Sequence, residues 1–344
     1  MAYFRCGGNG NTIMIDGQEY DDDINLKTIG GLYKFYKDFP DTDNHRILVN
    51  DMDGKLHAFG GSKYHRRHYI YNNDDDTWST GNELPGDLDS AYNNRHGDVV
   101  LCYGQLYALG CYNQVADQEN LSYRLLYASS TGDSWERRAD MPYSGYGCAF
   151  VSAENTSIFP PTFEIHMLGG NTAESTYYNH YKYDVTSNTW TKVGTLPYRF
   201  VNGSAVYLNG EIHILGSSYN VSGAILNSTK HYKYNLANGN WVKVSELPYD
   251  FCGGKAIVIN GEIHIFGGKH GEDNVYNGTK HYKYSNGDWV NVGDIPFVLD
   301  GCACYHGEMH YSGVVLTADY RMGGIQSKCY NLICSGVFMK GALI

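Results

Sequence analysis

The run NGEIHILG, from Asn209 to Gly216, returns as NGEIHIFGG from Asn260 to Gly268. The pair has four relatives along the chain: DGKLHAFGG from Asp53, YGQLYALG from Tyr103, FEIHMLGG from Phe163 and HGEMHYSG from His306. Six copies of one element in 344 residues mark a repeat architecture, and a repeat decides the fold before any other pattern is weighed. A second element follows each copy. It reads HYIY or HYKY and ends at Tyr71, Tyr183, Tyr234 and Tyr284, with weaker copies ending at Tyr127 and Tyr330. A third element carries Trp78, Trp135, Trp190, Trp241 or Trp289, spaced 48 to 57 positions apart. Seven residues after each Trp stands a Pro: Pro85, Pro142, Pro197, Pro248 and Pro296.

Each unit reads as a four-stranded antiparallel sheet. A first strand such as SAVYL (204–208) or KAIVI (255–259) precedes the glycine-bearing run. Asn-Gly or Asp-Gly then turns the chain, because both central residues of a type I′ turn need positive φ. The second strand ends on Gly-Gly, where a side chain would obstruct a close backbone approach. The third strand alternates, with His231 and Lys233 on one face and Tyr232 and Tyr234 on the other. The fourth carries the Trp as a packing anchor toward a neighbouring unit. The Pro, which cannot donate to a ladder, then ends it. The glycine pair, the Tyr and the Trp at roughly fifty-residue spacing resemble the kelch repeat. The resemblance covers residues 29–334 and implies an all-β fold, a six-bladed β-propeller with four-stranded antiparallel blades. The chain departs from that family at one regular position, where His57, His166, His213, His264 and His310 replace the usual Tyr.

Six second strands but only five Trp strands leave one blade short. Tyr33 lies seven residues before Pro40, and Asp38-Phe39-Pro40 matches Asp294-Ile295-Pro296, so an N-terminal strand is expected to complete the last blade with Tyr33 in place of Trp. The rival is the C-terminal tail, since Val337 lies seven residues after Tyr330. Closure of either kind removes two open sheet edges.

Composition narrows the function. The net charge is −11 with no basic run, which disfavours nucleic acid, whose phosphates need clustered Lys and Arg. No apolar run approaches membrane-spanning length, and Met1 to Gly10 lacks a signal-peptide pattern. Nine Cys without a Cys-x-x-Cys pair imply neither a zinc site nor a disulfide framework, and Cys102, Cys148 and Cys302 read as small buried hydrophobes. The recurring His residues, including His68, His180, His231 and His281, belong to the repeat and read as packing rather than as a metal ring. Asp21–Asp23 and Asp74–Asp76 match no calcium loop, and Asp74–Asp76, in the turn before Trp78, reads as a solvated turn. The Tyr, His and Cys residues that a kelch-like copper oxidase would need stand only in generic repeat positions. No cofactor, metal or catalytic residue is therefore nominated.

What the repeat leaves over lies in connections between second and third strands, at about 62–67, 111–122, 171–178, 217–229, 269–278 and 312–327. Their Tyr, Asn, Ser and Gly suit recognition, and Tyr112, Tyr219 and Tyr276 are the binding candidates. Residues 1–28 form a non-repeating extension. Its start, MAYFRCGGNGN, resembles short N-termini of tail-associated structural proteins in phages and prophages of low-GC Gram-positive bacteria. That resemblance implies attachment to other virion proteins, assembly in a host cytoplasm and a virion location; without it, a cytoplasmic one is expected. Residues 335–344 form an apolar tail. The expected function is non-enzymatic: a tail or receptor-binding propeller that recognises a protein or cell-surface glycan through its loops. The alternatives are a sugar-active enzyme resembling the bacterial kelch sialic-acid epimerases and a cytosolic kelch adaptor.

Overall fold

The computed structural model describes residues 12–15, 18–21, 33–35, 40, 47–52, 55–60, 66–72, 74–75, 77–85, 98–109, 122–126, 134–143, 145, 147–171, 176–221, 224–259, 261–268, 280–293, 298–305, 308–314 and 332–336. They form six four-stranded antiparallel sheets and one two-stranded hairpin, Thr12–Ile15 with Gln18–Asp21. Five sheets are named by their Trp. The Trp78 sheet holds Ile47–Asn50, Leu56–Phe59, His68–Asn72 and Thr77–Thr80. The Trp135 sheet holds Asp98–Cys102, Gln105–Leu109, Ser122–Leu126 and Ser134–Arg137. Ala149–Asn155, Thr162–Leu168, Asn179–Asp184 and Thr189–Thr195 make the Trp190 sheet. Ser204–Leu208, Glu211–Val221, Ala224–Asn235 and Asn240–Glu246 make the Trp241 sheet. The Trp289 sheet is Lys255–Ile259, Glu262–Phe266, His281–Ser285 and Asp288–Asn291.

Val298–Tyr305, Glu308–Val314 and Leu332–Gly336 open the sixth sheet, and Tyr33–Phe35 completes it. Tyr33 faces Gly336, and Phe35 faces Cys334. The N-terminal strand, not the C-terminal tail, is thus the fourth strand. First strands of successive sheets lie side by side, and Val298–Tyr305 lies beside Ile47–Asn50. The architecture is a β-propeller of four-stranded antiparallel blades.

The turns follow the sequence logic. Asn209 and Gly210 both have positive φ, 51° and 81°, as a type I′ turn requires. The second-strand glycines serve close approach. At Gly216 (φ 65°) a Cβ would run into the Phe251 carbonyl oxygen, which accepts from Ser217 N–H at 2.9 Å. Gly169 meets the Phe200 carbonyl in the same way. Two positions in the expected repeat need correction. Leu125, not Tyr127, faces Trp135, and Gly336, not Tyr330, faces Tyr33. Strand pairing sets the register, and an apolar residue fills the Tyr position in one blade and a glycine in the other. The last of these strands runs two residues past 334.

The core lies between adjacent sheets. Phe59 packs with Leu106 and Ala108, Tyr107 and Leu109 with Ile165 and Met167, and Leu168 with Ile212 and Ile214. Each described Trp is half-buried. Trp78, Trp190, Trp241 and Trp289 pack, tilted, against the facing Tyr of their own sheets, with centroids 5.1–5.3 Å apart. Several also reach back one sheet: Trp190 Nε1 donates to Ala139 O at 3.2 Å, Trp135 Nε1 to Asn82 O at 3.3 Å, and Trp241 meets His180 edge-on. Pro197 and Pro248 stand two residues beyond their strands, and Pro85 and Pro142 farther out. Pro40 is exposed in a bend, and Pro296 lies outside the described residues.

Candidate functional site

The most regular polar feature is a buried pair of imidazoles in each of four sheets. The second-strand His and the third-strand His meet through Nδ1 and Nε2: His57–His68 at 2.7 Å, His166–His180 at 2.8 Å, His213–His231 at 2.9 Å and His264–His281 at 2.8 Å. Partner strands in register bring the two rings together. Burial pushes bases of these pairs down, to about 4 in His213 and His264 and to about 3 in His68, His231 and His281. Neutral rings joined by one N–H are the result in the Trp190, Trp241 and Trp289 sheets. A carboxylate two residues before the second-strand His binds the third-strand Lys: Glu164–Lys182 at 2.7 Å, Glu211–Lys233 at 2.9 Å and Glu262–Lys283 at 2.9 Å. Burial raises the Glu164 carboxyl, but the bonds and charges of His166 and Lys182 outweigh it and hold it at about 2. The pattern E-x-H with H-Y-K was visible in the repeat, but its pairing was not.

The Trp78 sheet differs. His57 Nε2 lies 3.1 Å from Asp51 Oδ2, and His68 Nδ1 lies 3.1 Å from Asn82 O. Acceptors stand at both ends of this pair. In the Trp241 sheet, His231 Nδ1 faces the Ser245 hydroxyl at 3.3 Å. No cluster of three or more metal-ligating side chains occurs among the described residues. The Cys102 and Cys148 thiols are pushed up to about 12 by burial, which leaves them protonated.

Of the three expected binding tyrosines, Tyr112 and Tyr276 lie outside the described residues. Tyr219 is not in a loop. The stretch expected as a connection, 217–229, continues the sheet as a hairpin in which Tyr219 faces Leu226 and Val221 faces Ala224. A register shift between Leu215 and Ser217 separates this extension from the blade. Its strands have 11 and 12 residues, while no other described strand exceeds eight. Asp74 and Asp75 are exposed in a turn, where Asn72 Oδ1 accepts from Asp74 N–H at 3.1 Å.

Sequence reading missed Asp98. It opens the first strand of the Trp135 sheet, as Lys255 opens that of the Trp289 sheet three places round. Burial raises its carboxyl to about 6, against the opposing Lys255 charge and the Val99 N–H bond at 2.9 Å. An acidic residue at a strand start reads as turn chemistry, so its sequence signal was hidden.

No protein-family model matches the chain. Mouse kelch-like protein 15 is 25% identical over 220 residues, 54% of this chain. The chain spans about a third of that relative's length, 34%. The solved structure of YjhT superposes with a TM-score of 0.63, covering 87% of this chain and 95% of that one at 14% identity. This chain is a kelch-repeat β-propeller. A second relative is matched along more of its length: the N-acetylneuraminate epimerase of Haemophilus influenzae is 22% identical over 319 residues, covering 76% of the propeller and 83% of the epimerase.

Proposed function

We propose that this propeller is a binding module whose partner is another protein, with its six sheets closed as one six-bladed ring. The observation that carries the reading is the hairpin extension of the Trp241 sheet. Repeated residues fill the blade interiors, whereas this hairpin breaks the repeat and continues past the sheet on its own hydrogen bonds. A hairpin held by its own backbone ladder has little backbone entropy to lose on binding. The kelch-like relatives favour the same class. A finer version adds a virion setting, with recognition of a protein or surface glycan and attachment through residues 1–28. It is supported by loop composition and by the N-terminal resemblance.

The test is a variant in which residues 218–227 are replaced by a two-residue turn. Cross-linked capture from source cells should yield a partner with the wild-type protein and lose it with the trimmed one, at unchanged melting temperature. Turnover of N-acetylneuraminate at about 1 per second or faster would overturn the reading.

Asp98 favours a second reading, a sugar-active enzyme. A carboxyl raised by burial to about 6 suits general acid–base work. Asp98→Asn should then abolish anomer interconversion of N-acetylneuraminate followed by NMR, while an inactive wild-type protein would remove this reading.

A further inference from the structure

Each of the five Trp sheets places its first-to-second and third-to-fourth turns at one end, opposite the end that carries the hairpin extension in the Trp241 sheet. On the turn end, three successive sheets carry exposed apolar tips. Met52 is 69% exposed, Tyr103 65%, Ile158 50% and Phe159 96%. Met52, Tyr103 and Phe163 form a row, and Ile158 and Phe159 stand at the turn of the hairpin that ends it. Met52 covers Gly104, whose Cβ, if present, would lie 2.7 Å from Met52 Sδ. Tyr103 stacks on Phe163, with centroids 4.3 Å apart, and Phe163 belongs to the hairpin that carries Ile158 and Phe159 at its turn. Single exposed apolar residues are ordinary, but a contiguous series is not. Tyr103 also occupies a left-handed turn position (φ 48°), costly for a bulky residue, where the Trp241 sheet uses Asn209.

The exposed charges at this end are mainly acidic among the described residues. Asp74, Asp75, Glu154 and Asp288 stand against Lys55. An apolar strip with an acidic rim complements an apolar anchor flanked by positive charge. We propose that the strip formed by Met52, Tyr103, Phe163, Ile158 and Phe159 docks a partner segment with aromatic or aliphatic anchors flanked by Lys or Arg. The inference rests on the binding reading and adds a second face to it.

Panning a displayed random-peptide library against the full-length chain tests it. Enriched peptides should combine apolar anchors with Lys or Arg. They should lose at least about tenfold in affinity, or about 1.4 kcal/mol, in the Tyr103→Asn/Phe159→Ser variant. They should bind the hairpin-trimmed protein normally, and they should weaken as salt rises. If the double variant is misfolded by circular dichroism, Asp74→Lys/Asp75→Lys replaces it, with the same loss expected. Three outcomes overturn the proposal: no enrichment, peptides without basic residues, or peptides that bind the variants unchanged. Dimerisation abolished by Phe159→Ser in sedimentation would also overturn it, by making a second copy the occupant. Peptides lost only on hairpin trimming would refute this face and keep the binding reading. Failed enrichment together with failed partner capture would sink both.

Discussion

The tips of the Trp78, Trp135 and Trp190 sheets are apolar and exposed, while the Trp241 sheet turns through Asn209 and Gly210. Beneath these tips, the Trp78, Trp190 and Trp241 sheets share one interior: a His–His bond and a Trp tilted against a Tyr. Residues that recur in the interior are held there by folding, since every blade meets the same packing problem. Residues that break the pattern at the rim are free of that constraint and carry information about what the protein meets. Variants should therefore separate cleanly, with interior changes read in stability and rim changes in binding.

Acid should give the largest effect, because it strikes all the interiors together. His68, His213, His231, His264 and His281 take up protons near 6.5 when unfolded but only at about 3–4 when folded. The unfolded chain binds more protons between those values, so stability is complete above about 6.5 and falls as pH drops toward 4. Glu164 adds to the loss below 4.5. Asp98, raised from 3.8 to about 6, acts in the opposite sense, its contribution vanishing as pH rises through that window. Five bases outweigh one acid, so the net stability should fall steeply between about pH 6.5 and 4. A melting temperature flat over that range would contradict neutral buried imidazoles.

Gly216→Ala comes next, at about 3–5 kcal/mol, because the new Cβ meets backbone rather than a movable side chain and the residue must keep positive φ. Denaturant melts would show it, and a cost below about 1 kcal/mol would mean that the linker can shift. His213→Leu should cost about 1–3 kcal/mol by leaving His231 Nε2 without its partner. Adding His231→Leu should restore part of that, and a double-mutant cycle with no coupling would deny the bond. Phe159→Ser should be the mildest, within about 0.5 kcal/mol, since that ring is almost wholly exposed. A larger loss would move Phe159 from the rim to the interior side of the comparison.

The blade was legible in the sequence because turns and packing repeat at fixed spacing, and Asn209-Gly210 announces its own geometry. N-terminal closure followed from Tyr33 and Pro40. Less was legible where identity and position part company. Leu125 and Gly336 occupy Tyr positions without resembling Tyr, so only strand pairing reveals them. Tyr219 read as loop because its Ser- and Asn-rich surroundings carry no strand alternation, yet cross-strand hydrogen bonds hold it in a hairpin. The apolar tips could have been found as departures from Asn-Gly, but contiguity across blades is a tertiary fact. Asp98 needed both its burial and the distant Lys255 charge.

The pairing of Tyr33–Phe35 with Leu332–Gly336 also sets a chronology. The strand leaves the ribosome well before the other three strands of its sheet and cannot find its place until they follow. Nearly 300 residues separate Phe35 from Leu332, roughly 15–60 s of synthesis at ordinary translation rates. Through that interval its ladder edge stands unpaired while the other blades assemble. A nascent chain of this protein thus carries an early adhesive edge, and its yield in a cell should depend on how well chaperones occupy that edge until its complement arrives.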